Sequence, residues 1–270
     1  MNESENNSLS VNSTEECATQ SVKTVTVNNR VYKLNTHGVV RMSQFHTKFA
    51  SLAKLSCVLY FIVCVVVGLS SIGIFIYAGH SGEYLYTSSK RGELLISIIN
   101  WCMEVASEGI FPNMIMPLAE SFFSISVAIA LYSGLKDLSS NWNKLLSANL
   151  AIMAISAFLS FFDIENFTFV KIESIIFGGS LLLVGFGMIG NFKGKDLEAI
   201  GVAMLAFGVI NIAMAFLGCH FLAKIEGLMV TEGAKGYGLT LAIGSFLYAY
   251  ISFKLCEHIR NEDYDGENDE

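Results

Sequence analysis

The stretch LSCVLYFIVCVVVGLSSIGIFIYA, residues 55–78, runs for 24 residues without one charged side chain. As a helix it would be about 36 Å long, enough to cross the roughly 30 Å hydrocarbon layer of a bilayer. In water such a segment would need burial on every face. In lipid it needs only its own backbone hydrogen bonds. Five more apolar runs follow, at 115–135, 145–163, 172–191, 197–220 and 237–255. The later connections are too short for a second globular domain. The sequence therefore predicts an all-α integral membrane protein with six transmembrane helices in a domain spanning 55–255.

Composition points the same way. The chain is 53% apolar and only 15% charged, with a mean hydropathy of +0.51, whereas soluble domains carry roughly a quarter charged residues. The net charge is -7, and six of the carboxylates lie in the final NEDYDGENDE. That segment, 256–270, reads as a solvated acidic tail and argues against nucleic acid as a partner. Residues 1–50 read as a polar tail. Within it, TVTVNNRVYKL at 24–34 alternates branched and polar residues around Asn28-Asn29. That pattern fits a short hairpin, and equally a disordered segment. The six cysteines form no C-x-x-C pair and no metal-like cluster. No metal or cofactor is expected.

Lysine and arginine orient the spans. Six crossings put Arg41, Lys48, Lys54, Lys136, Lys144, Lys193, Lys195, Lys254 and Arg260 on the side shared by the termini, nine against five on the other side. The positive-inside rule then places both termini in the cytoplasm. The expected location is a plasma membrane of the bacterial inner-membrane kind.

Residues 93–110, ELLISIINWCMEVASEGI, could form a seventh span. Adding it reverses the charge asymmetry to six against eight, so an interfacial helix between the first two spans fits better. On a helical wheel Glu93, Ser97, Asn100, Glu104, Ser107 and Glu108 share a sector about 100° wide. In one reading this stripe lies in water on the membrane surface. In the other, Asn100, Glu104 and Glu108 guard the outer mouth of a pathway. Pro117 and Glu120 read as an ordinary helix start, where a missing N–H costs nothing and a carboxylate meets the positive end of the dipole.

The centres of the six spans, about 58–75, 121–134, 147–161, 175–190, 200–218 and 238–252, hold no Asp, Glu, Lys, Arg or His. That lowers the expectation of a pump or an ion-coupled transporter. The candidate polar contacts inside the membrane are Asn149 and Asn211, together with hydroxyls such as Ser124, Ser126, Ser156 and Ser180. In the fifth span Gly201, Gly208 and Ala215 recur every seven residues, with Gly218 following, and mark a helix-packing seam. The fourth span offers Gly178 and Gly185 at the same spacing, and the two should form a tight hairpin. The shared spacing also hints at a duplicated unit.

No phosphate-binding loop, nucleophile elbow or zinc-protease signature occurs. The sequence therefore predicts a non-enzymatic membrane protein. The favoured role is a structural or channel-forming subunit of a larger or homo-oligomeric assembly, with the bilayer and another membrane protein or a second copy as partners. The alternative is a secondary transporter of a small neutral solute, with Asn149 and Asn211 facing a central cavity.

Overall fold

The computed structural model describes residues 24–27, 30–33, 40–41, 45–79, 114–162, 166–227 and 230–261. The region assigned to an interfacial helix, 93–110, lies outside the described residues, and Asn100, Glu104 and Glu108 lie there with it.

Among the described residues six long helices make up the body: α1 (Ala50–Gly79), α2 (Met116–Leu135), α3 (Ser140–Leu159), α4 (Phe167–Asn191), α5 (Lys195–Glu226) and α6 (Val230–His258). Each is long and apolar enough to cross a membrane, and the six together point to a membrane location. Most run several residues past the apolar runs that announce them, α5 reaching Glu226 rather than 220. A charged side chain does not end a helix, and Lys and Glu are good helix formers. Apolar length therefore reports membrane thickness and not helix length.

Helix starts are set by local chemistry. Thr47 Oγ1 accepts from Phe49 N (3.4 Å) just before α1. Ser139 Oγ accepts from Trp142 N (3.3 Å) to cap α3. Asn166 Oδ1 accepts from Thr168 N and Phe169 N to cap α4. Each satisfies a backbone donor that the first helical turn leaves open.

The helices close into a ring. Each packs against its neighbour in the chain, and α6 returns to pack along α1. Successive helices alternate in direction, so one end of the ring carries the start of α1 and the finish of α6, here called the terminal end. The outward surface is apolar all round, with Phe158, Leu183, Phe186, Val209 and Ile243 exposed. Such a surface is soluble in lipid and not in water.

The terminal end is strapped. Strands β1 (Thr24–Val27) and β2 (Arg30–Lys33) pair antiparallel, with Val27 opposite Arg30. Strand β3 (Val40–Arg41) runs parallel to β5 (Phe192–Lys193), which follows α4, and β4 (Phe45–Thr47) runs parallel to β6 (Ile259–Asn261), which follows α6. Residues 40–41, 45–47 and 256–261 thus belong to the folded body, although composition assigns them to polar tails. Phe45 is fully buried, and a side chain at Gly134 would strike its ring. Asp196, 4% exposed, sits 3.0 Å from His258 Nδ1 and accepts from Arg260 Nε at 3.4 Å. Short apolar strand residues and one shared carboxylate hold both chain ends on the bundle.

Candidate functional site: a two-carboxylate cavity above an aromatic layer

Five rings fill the centre of the helix ring. Tyr60 of α1 stacks on Phe123 of α2, with centroids 4.6 Å apart. Phe207 of α5 meets the edges of Phe123 (5.5 Å), Phe177 of α4 (5.9 Å) and Tyr248 of α6 (5.2 Å). Edge-to-face rings favour one another by about 0.5–1.5 kcal/mol beyond their burial. The cluster is therefore a packed layer and not a loose constriction.

Beyond this layer, toward the end opposite the termini, lies a half-open cavity of about 230 Å³ between α2, α3, α4 and α5. Its polar lining is Glu120, Ser121, Ser124, Ser156, Ser160, Glu173 and Asn211. Pro117 lies in the first turn of α2, and Glu120 follows just after that turn. The Asn166 cap starts α4 and puts Glu173 on its second turn. Both carboxylates therefore enter the ring from the same end.

The hydroxyls arrange these groups. Ser156 Oγ donates to Glu173 Oε1. Ser160 Oγ donates to the Ala157 carbonyl (2.9 Å), so Ser121 Oγ, 3.2 Å away, donates to Ser160. Two buried atoms of this lining stay unmatched among the described residues, Ser124 Oγ and Asn211 Oδ1, as do Tyr60 Oη in the aromatic layer and Ser70 Oγ of α1. Burying a polar atom without a partner costs free energy, and such atoms mark where a water or a ligand belongs. No described cationic side chain forms an ion pair with Glu120 or Glu173. The cavity is lined by two carboxylates, four hydroxyls and one amide, with no cationic side chain among its described lining residues. It suits a cation that carries N–H donors. Among the described residues no group of three or more His, Cys, Asp or Glu could hold a metal ion.

Below the aromatic layer is a second space of about 10 Å³, lined by Asn149, Leu181, Met204, Phe207 and Leu255 among others. That is about the least volume that admits one water. Asn149 Nδ2 donates to Ser180 Oγ (3.0 Å), which in turn donates to the Phe177 carbonyl (2.9 Å). Ser124 and Met153 line both spaces.

The two asparagines singled out in the sequence are thus separated. Asn211 lines the large cavity, while Asn149 is tied down on the other side of the rings. The glycines meet as two layers of one contact. A Cβ at Gly208 would lie 2.6 Å from the Gly178 carbonyl oxygen, and one at Gly185 would lie 2.7 Å from that of Gly201. The matching spacing in α4 and α5 reflects two antiparallel helices in contact. Gly218 has open space where a Cβ would stand and takes no part in that contact. Ala215 is half-buried.

Sequence reasoning passed over Glu120 and Glu173 as site residues because both lie just outside the span centres. The signal was present as polar residues on matching ends of three helices: Glu120, Ser121 and Ser124; Ser156 and Ser160; and Glu173. No known protein family, curated protein or solved structure matches this chain. A functional reading rests on the geometry alone.

Proposed function

We propose that this chain is a non-catalytic membrane permeation protein, a carrier whose cavity takes a small cation bearing N–H donors. One observation carries the reading: a cavity lined by two carboxylates penetrates the helix ring as far as Phe177, whose ring packs on Phe207 in the aromatic layer. Carboxylates at membrane depth are costly and mark ion or solute routes. Two of them around one space repel each other, and a cation between them converts that repulsion into attraction. At about 30 Å³ per water, the cavity has room for a solute the size of several waters. The aromatic layer supplies the closed side that alternating access requires.

The neutral solute expected from uncharged span centres gives way to a charged one, because Glu120 and Glu173 reach into the space those centres enclose. By the nine-to-five excess of Lys and Arg, the cavity would open away from the cytoplasm of a plasma membrane. The channel-forming role expected from the sequence becomes that of a self-contained carrier, because its polar space lies inside one chain.

The test uses radiolabelled guanidinium, which is charged at all working pH values and offers only donors. Protein in phosphatidylcholine liposomes is expected to take it up faster than empty liposomes. Glu120→Gln and Glu173→Gln should each lower that uptake about tenfold, the loss of one charge-assisted contact, with unchanged elution on size exclusion. Equal uptake by wild type, the double variant and empty liposomes would overturn the proposal.

A further inference from the structure

We infer that the solute is an amphiphilic cation, with a single aliphatic chain, reached sideways from the lipid between α3 and α4. The inference rests on the carrier reading above and names the substrate class of that same site. Alongside the polar cavity runs an apolar groove of about 290 Å³, walled by Ile152 and Ile155 of α3 and by Ile172 and Ile176 of α4. Ser156, Leu159, Phe169, Glu173 and Phe177 line both spaces. The groove and the cavity therefore meet at a carboxylate.

Three further features agree. The α3–α4 contact is the loosest of the six around the ring. Ile155, Ile172 and Ile176 are 60%, 52% and 53% exposed, so the groove opens outward where lipid would lie. Among the described residues Glu173 is engaged by Ser156 through Oε1 alone, which leaves Oε2 for a ligand. At the inner end, Ser124 is 6% exposed with its Oγ unpartnered, and Asn211 Oδ1 is likewise unmatched. A head group with several N–H donors on Glu173, Glu120 and these two atoms has its tail directed along the groove. From Phe169 to Ile176 the groove follows about 10 Å of α4, the reach of a medium alkyl chain. A phospholipid is a poor occupant, because its phosphate would face two carboxylates at close range.

The experiment displaces radiolabelled guanidinium from protein in phosphatidylcholine nanodiscs with ethylguanidinium or octylguanidinium. Wild type is compared with Ile176→Trp and Ile172→Trp, which fill the groove from its exposed face and should bind guanidinium itself within twofold of wild type. Octylguanidinium is expected to displace at tenfold or more lower concentration than ethylguanidinium, and this advantage should shrink at least fivefold in either Trp variant. Partition into the bilayer is the same for every variant, so an advantage unchanged by the Trp substitutions would overturn the inference and leave the carrier reading standing. Failure of guanidinium to bind wild type would overturn both. Displacement of guanidinium by added phosphatidylethanolamine, with no effect of chain length, would assign the groove to bilayer lipid and also overturn the inference.

Discussion

At Gly208 the backbone of α5 comes within touching distance of α4, and Gly208→Ala tests that directly. A Cβ there would lie 2.6 Å from the Gly178 carbonyl oxygen and 3.1 Å from Leu182 Cγ. Carbon and a carbonyl oxygen normally rest about 3.3–3.6 Å apart, so the helices must separate by on the order of 0.8 Å. The nearest obstacle is backbone and cannot rotate away. Overpacking of this kind costs about 1–3 kcal/mol, and the better helix propensity of Ala offsets up to about 1 kcal/mol. With the full offset the net loss centres on about 1 kcal/mol, which lowers the melting temperature of a chain this size by about 2–4 °C.

The measurement is thermal unfolding in detergent followed by intrinsic fluorescence. Gly190→Ala and Gly218→Ala are the controls, because a Cβ at either position meets nothing within 4 Å. They gain propensity without a clash and should melt at or above wild type. Gly178→Ala, whose Cβ would meet the Gly208 carbonyl oxygen at 2.7 Å, should resemble Gly208→Ala. The double variant should lose less than the sum, since one separation relieves both contacts. If Gly208→Ala melts together with the two controls, close backbone approach is not what holds α4 against α5.

Two other substitutions separate barrier from framework. Phe207→Ala removes the ring shared by three aromatic contacts and enlarges the lower space that this ring lines. Guanidinium flux in liposomes should rise while stability falls by about 3–5 kcal/mol, and unchanged flux would mean that the rings are not the barrier. Asn149→Leu deletes the hydrogen bond to Ser180. It should cost about 1 kcal/mol and leave guanidinium uptake within twofold of wild type, whereas a tenfold loss of uptake would put the binding site below the aromatic layer.

How far the sequence could be read differs from element to element. Leu55–Ala78 announces a spanning helix because lipid tolerates an apolar surface on every side, so the signal needs no partner to be interpretable. The start of α2 at Pro117 and the cap at Asn166 are equally local. Glu173 was harder, since a carboxylate two turns into a helix faces headgroups, lipid or a cavity depending on its neighbours, and none of those is near it in sequence. The same holds for Phe207, which reads as one more apolar residue until Tyr60, Phe123, Phe177 and Tyr248 surround it.

The sequence by itself determined the six helices, their apolar character and the spacing of glycines on α4 and α5. These depend on hydropathy and period, which are properties of one segment at a time. Only the tertiary structure decided that the helices close into a ring, that Gly178 meets Gly208 and Gly185 meets Gly201, that residues 40–41 and 45–47 strap the terminal end, and that Glu120 and Glu173 face one cavity over an aromatic layer. In lipid the apolar surface of a helix has no preferred side. Which faces turn inward is set by small-residue contacts and shared polar groups between distant segments, and those pairings exist only once the ring has closed.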